Sequence, residues 1–145
     1  MNDNTEPDTR ETPDTGKTPD PRAGIGAAGE QLAAEHLIRR GYEIVERNFR
    51  TRFGELDIIA LTDRTIVFCE VKTRMTKTGP ASSAVRNPLE SVHPRKQRKV
   101  RRMAGRWLAE RSDRPRAGEL RFDAIGVTLD ETGALLRLDH LEGVF

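Results

Sequence analysis

The chain holds a single cysteine in 145 residues, so no disulfide can form within it. That residue, Cys69, sits inside the apolar stretch Val67-Phe68-Cys69, and such usage fits a reducing, cytoplasmic setting. Long apolar runs are also lacking. None approaches the roughly 18 residues of a membrane span, which argues against a membrane protein. Residues 1–23, MNDNTEPDTRETPDTGKTPDPRA, have no large aliphatic or aromatic side chain after Met1, and neither the basic start nor the apolar centre of a secretory signal. Asp, Glu, Thr and Pro dominate there and cannot bury enough surface to offset the entropy of ordering. Residues 1–23 are therefore expected to be a disordered acidic tail, ahead of one α/β domain over residues 24–145. The histidines His36, His93 and His140 are scattered without ligand spacing, which argues against a zinc site. Lysine is scarce too, with five against twenty arginines.

What is present is positive charge in one place. The overall +2 hides −3 on residues 1–23 and +5 on the rest, and Pro94 to Arg116 carry ten Lys or Arg against Glu110 and Asp113. A basic face of this kind favours polyanions, although a merely solvated helix face has the same composition.

Hydrophobic spacing predicts a helix from about Gly24 to Arg40, ended by Gly41, with Ala33, Ala34, Leu37 and Ile38 as its apolar stripe. Gly26 and Ala27 would let that helix approach a sheet closely. Strands are expected over Tyr42–Phe49, Glu55–Leu61 and Thr65–Thr73, the last two joined through Thr62-Asp63-Arg64. Residues 74–87 read as a mobile loop. A second helix starts near Pro94, with Val100, Met103, Ala104, Trp107 and Leu108 on its apolar side and Trp107 in the core. Strands over Leu120–Leu129 and Ala134–Leu141 complete an α/β sandwich with a mixed sheet.

The chemistry-bearing stretch is Gly54-Glu55-Leu56-Asp57, followed by Val67-Phe68-Cys69-Glu70-Val71-Lys72. Strand alternation points Glu70 and Lys72 the same way, about 7 Å apart, and Asp57 on the neighbouring strand can face them. Carboxylates converging on one spot repel unless a cation intervenes, and Mg²⁺ (or Mn²⁺) suits hard oxygen ligands. On this reading Asp57, Glu70 and the Val71 backbone carbonyl hold the metal. Lys72 orients a water or offsets charge on a phosphoryl group, and Glu30, on the stripe of the first helix, holds a water on the ion or completes a second metal site. The competing reading is an ion pair closing the edge of a hairpin, with Glu30 an acid at the rim of a packing face. The residues alone leave both open.

Taken together, GAAGEQLAAEHLIRRGYEIVERNFRTRFGELDIIA, VFCEVKTR and KQRKVRRMAGRWL resemble the YraN-like family of uncharacterised small bacterial proteins, over Gly24 to Phe145. That family is similar in fold to restriction endonucleases and archaeal Holliday-junction resolvases. The resemblance implies a three-layer sandwich with a central mixed β-sheet flanked by helices. It also implies a metal-nuclease arrangement on Asp57, Glu70 and Lys72, with Glu30 matching the resolvases' helical glutamate. The sequence departs from the family in its tail and over Asn87 to Val92.

For nucleic acid, Arg95, Arg98, Lys99, Arg102 and Arg106 are expected to contact phosphates without reading sequence, with Arg50, Arg52 and Arg74 extending the track. Lys96, on the line of the apolar stripe, either leans toward the scissile phosphate or snorkels at the helix start. Asp123 is expected to pair with Arg121 on the same strand face. The functional expectation is a Mg²⁺-dependent DNA endonuclease, selective for branched or damaged DNA and homodimeric if it resolves junctions. The alternatives are a non-catalytic nucleic-acid-binding accessory protein and, third, a protein-interaction module.

Overall fold

A computed structural model describes residues 21–77 and 93–144. The tail proposed for residues 1–20, and the loop and atypical stretch over residues 78–92, lie outside the described residues. Chain order is helix, three strands, helix, two strands: α1 (Pro21–Arg39), β1 (Glu43–Thr51), β2 (Gly54–Thr62), β3 (Thr65–Met75), α2 (Pro94–Glu110), β4 (Glu119–Leu129) and β5 (Leu135–Leu141). The strands form one sheet in sequence order, antiparallel except for the parallel β3–β4 pair. That pair needs a crossover, and α2 lies within it.

Two apolar clusters fix the layers. Alternation sends Ile58 and Ala60 of β2, Val67, Cys69 and Val71 of β3, and Ile125 and Val127 of β4 to one face, against Ala33, Ala34 and Leu37 of α1. Ile59, Ile66 and Phe68 meet Val100, Met103, Ala104 and Trp107 of α2 on the other. Trp107 lies edge-on to Phe68, with ring centroids 5.8 Å apart. Burial of each such side chain stabilises by roughly 1.5–3 kcal/mol. Helix, mixed sheet, helix is the three-layer sandwich of the restriction-endonuclease-like fold.

Several local expectations need correction. Helix α1 begins at Pro21, taking residues 21–23 from the expected tail; proline is tolerated in a first turn, where the N–H has no helical acceptor. Close approach to the sheet is made at Gly29, where an added Cβ would collide with the Thr73 side chain, whereas Gly26 faces open space and Ala27 is exposed. The contact line therefore runs Gly29, Ala33, Leu37, and Ile38 is turned outward with 57% of its surface exposed. Gly41, at φ 87°, ends the helix as expected, with Tyr42 N donating to Leu37 O at 3.0 Å. Strand β3 continues through Arg74 and Met75, beyond the expected start of the loop at residue 74, because they pair with Thr128 and Leu129 of β4.

Candidate functional site

The β2–β3 ladder ends at the pair Ile58–Cys69, and Asp57 and Glu70 are the next residues beyond it. Where the strands part, Asp57 Oδ2 accepts a hydrogen bond from Val71 N at 2.7 Å. The Val71 peptide, expected to offer its carbonyl to a metal, thus anchors the Asp57 carboxylate through its N–H. The fork is reached from both layers: Glu30 comes from α1 and Lys96 from α2.

Three carboxylates converge there. Glu30, Glu55 and Asp57 each place an oxygen within 4.8 Å of the others. Asp57 is 9% exposed. Burial first, then the nearby Glu70 charge, push its pKa up to about 7, although the Val71 N–H bond pulls it down. Burial and Glu55 likewise raise Glu30, against Arg47, Arg50 and Asn48. With its amide nitrogen turned toward the acids, Asn48 donates to Glu55 Oε1 at 2.9 Å and to Glu30 Oε2 at 3.0 Å, clasping α1 to the hairpin. Asn48 sits at φ 54°, a conformation asparagine tolerates better than most residues.

Glu70 takes cations as neighbours. Lys96 Nζ is 2.8 Å from Glu70 Oε1, and Lys72 Nζ is 3.7 Å from the same oxygen. Burial and then contact with Lys96 lower the pKa of Lys72. Burial is the largest single influence on Lys96 and lowers its pKa, but the contacts with Glu70 and Lys72 and the Asp57 charge together outweigh it, and the net shift is upward. Glu30, Val71, Lys72 and Arg74 share the wall of a cavity of about 460 Å³ beside the fork.

Glu30, Asp57, Glu70 and Lys72 thus share one neighbourhood, but the tightest carboxylate set substitutes Glu55 for Glu70. Glu55 and Asn48 are not among the site residues that the sequence predicts. Glu55 stands two residues before Asp57, so strand alternation puts both on one face and would have flagged it. Asn48 carried no local signal. The donor set is all hard oxygen, and a divalent cation would offset both the burial and the carboxylate repulsion that raise the pKa of Asp57. Mg²⁺ or Mn²⁺ therefore fits these residues.

Of the cations expected to meet phosphate, six line two adjoining grooves, whereas Arg74 lines the cavity beside Glu30 and Arg106 lies against the Phe53 ring. Arg95, Arg98, Lys99 and Arg102 line a cleft of about 510 Å³ together with Phe53 and Met103. An adjoining groove is lined by Arg50, Arg52, Gly54, Glu55 and Lys99. Arg50 Nε is 3.3 Å from Glu55 Oε2. Gly54 stands at φ 153°, a backbone conformation that strains any L side chain, and a Cβ there would also displace the flexible end of Lys99.

A second polar cluster lies on the α1 side. Asp123, with no exposed surface, accepts two hydrogen bonds from Arg121 at 2.8 and 2.9 Å, as the strand spacing suggested, and one from Gly143 N at 3.0 Å. His140 Nε2 is 2.7 Å from Asp123 Oδ2, and His140 Nδ1 is 3.2 Å from His36 Nε2. The two histidines are 104 positions apart, so their meeting was invisible in the spacing. Cys69 is free and buried, and no helix among the described residues is long and apolar enough to cross a membrane.

Residues 29–127 match the model of the uncharacterised protein family UPF0102. The chain belongs to this family. A UPF0102 protein of Corynebacterium efficiens is 49% identical over 122 residues, covering 83% of this chain and 90% of the relative. Those of Frankia casuarinae and Alkaliphilus oremlandii are 44% and 43% identical, covering 83% of this chain in each case and 95% and 97% of the relatives. The UPF0102 match encloses both acid strands, Asn48, Glu30, the two lysines and the basic face of α2.

Proposed function

We propose that this UPF0102 protein is a divalent-metal-dependent DNA endonuclease, with Mg²⁺ or Mn²⁺ as cofactor and branched DNA as the preferred substrate. The observation that carries the reading is the convergence of Glu30, Glu55 and Asp57 within 4.8 Å, beside Lys72 and Lys96. Glu30, Asp57 and Glu55 would hold the metal, with Glu70 and the Val71 carbonyl completing the set. When bound, the ion supplies Lewis-acid polarisation of a phosphoryl oxygen.

The chain's own groups do the rest. Lys72 Nζ, with a pKa below that of an ordinary lysine, holds the attacking water or meets the charge that builds on the phosphoryl oxygens. Asn48 keeps Glu30 and Glu55 at their separation. Arg98, Lys99 and Arg102 hold the backbone of the duplex in the cleft without reading bases. Cleavage of a four-way junction needs two cuts, so a homodimer is the proposed form on that substrate.

A second reading has its own observation. Lys96 already neutralises Glu70 at 2.8 Å, as an acid relieved of metal binding would be, and this favours a non-catalytic nucleic-acid-binding protein that keeps the fold. A cleavage screen with Mg²⁺ and Mn²⁺ over linear, flapped and four-way DNA separates the two. The endonuclease reading expects cleavage abolished by Asp57→Ala and by Lys72→Ala. Salt-sensitive binding without cleavage on any substrate would establish the accessory reading instead.

A further inference from the structure

Phe53 occupies a position that local structure does not explain. It is one of two residues, with Arg52, at the tip of the β1–β2 hairpin, where Thr51 pairs with Gly54. Tight turns favour Gly, Asn, Asp, Pro and Ser, each for a conformational reason that phenylalanine does not share. The residue is 39% exposed, joins neither core cluster, and lines the cleft with Arg95, Arg98, Lys99 and Arg102. Two guanidinium groups lie against the ring, Arg52 at 4.7 Å and Arg106 at 4.6 Å from its centroid.

A partly exposed ring flanked by cations, with no carboxylate among the described residues lining its cleft, suits a ligand that is flat and apolar at one end and multiply anionic at the other. A nucleotide has that chemistry: its base can stack on a ring, and its phosphates meet Arg and Lys. The base must be unpaired, because inside a duplex both of its faces are covered by neighbours. Resting on the nucleic-acid reading above, we infer that the Phe53 cleft is a binding site for an unpaired nucleotide of the substrate strand, its base stacked on Phe53 and its phosphates held by Arg98, Lys99 and Arg102.

The site also sets the direction of the strand. Phe53 and Lys99 line both this cleft and the adjoining groove, and the wall of that groove includes Glu55, one of the three converging acids. A single strand anchored on Phe53 therefore runs toward the carboxylates. This makes the substrate class DNA with a single-stranded segment beside the scissile phosphate, such as a flap or an opened junction.

The test uses the full-length protein in EDTA at fixed salt, with oligo-dT carrying one 2-aminopurine, a flapped duplex, a blunt duplex, and heparin as a polyanion without bases. Binding of the labelled strand should quench 2-aminopurine fluorescence. Phe53→Ala should abolish the quench and weaken single-strand and flap binding by about tenfold or more, leaving blunt-duplex and heparin binding within about twofold. Phe53→Trp should restore both, which shows that loss in the alanine variant is not misfolding. Equal weakening of heparin and oligonucleotide binding, or a quench that survives Phe53→Ala, overturns the inference and leaves the endonuclease proposal standing. Absence of binding to every nucleic acid overturns both. Phe53-dependent binding without cleavage by the Mg²⁺-loaded protein supports the site and removes only the endonuclease reading.

Discussion

Lys96 Nζ lies closer to Glu70 Oε1, at 2.8 Å, than does Lys72, its neighbour on the same strand, at 3.7 Å. The reach comes from the first turn of α2, where Lys96 stands one turn before the buried Val100 and so leans onto the sheet. The sequence left two roles for Lys96, phosphate contact or a snorkelling stem, and the geometry shows a third, an ion pair to a carboxylate of the fork.

Removing this lysine should expose what the pair does. Lys96→Met leaves Glu70, at 10% side-chain exposure, without its nearest cation. The metal-free protein should lose on the order of 2–3 kcal/mol of stability, while affinity for Mn²⁺ rises because the ion no longer competes with Lys96 for Glu70. Calorimetric titration and urea unfolding in EDTA read the two quantities. Unchanged Mn²⁺ affinity would place Glu70 beyond the ion's reach.

Asp57 predicts a pH dependence of the metal-free protein. Its folded pKa of about 7 exceeds its ordinary value of 3.8 because of burial and then Glu70, so the fold favours the protonated acid. The associated stability is fully present below about pH 4 and is lost as pH rises through 7. Between those limits the loss should be on the order of 2–4 kcal/mol. Chemical unfolding across this range in EDTA should show the slope in the native protein and little of it in Asp57→Asn. Identical slopes would show that another group titrates.

Glu55 predicts opposite effects on the free and metal-bound protein. Glu55→Gln removes one of three crowded charges, so metal-free stability should rise by roughly 1 kcal/mol, the exposed Arg50 pair being worth little. Stabilisation by Mn²⁺ should fall, with affinity reduced by about tenfold or more. Melting curves with and without the ion measure both. A variant that binds Mn²⁺ as well as the native chain removes Glu55 from the ligand set.

Asp123 predicts an acid limb. Burial alone would raise its pKa, but hydrogen bonds from His140, Arg121 and Gly143 N outweigh burial and bring it down to about 2. A depressed carboxyl contributes stability above its ordinary 3.8, and this contribution, on the order of 2 kcal/mol, is lost as pH falls from about 4 to 2. Asp123→Ala strands Arg121 and His140 and should cost about 3–5 kcal/mol at neutral pH. A change below 1 kcal/mol would mean that solvent replaces the pair at no cost.

The strand at residues 65–75 illustrates what was legible. Its unbroken apolar run Ile66 to Cys69 gave the element, and the period of two, a property of the local backbone, gave the common face of Glu70 and Lys72. Its extent was underestimated, because Arg74 and Met75 are held by pairing to β4, a partner more than fifty positions away. Helix α1 shows the same division: the apolar period located the helix, yet only packing against Thr73 selected Gly29 over Gly26 as the contact point.

The sequence by itself determined the order of elements, the two apolar faces, the basic side of α2 and the residues able to bind a cation, since each follows from spacing along one segment. Tertiary structure decided which of those residues meet. It opened the fork beyond Ile58 and Cys69, brought Glu55 and Asn48 to Glu30, gave Glu70 to Lys96, and joined His36 to His140. Side chains held together across layers interact through distance in space, and no local period records that distance.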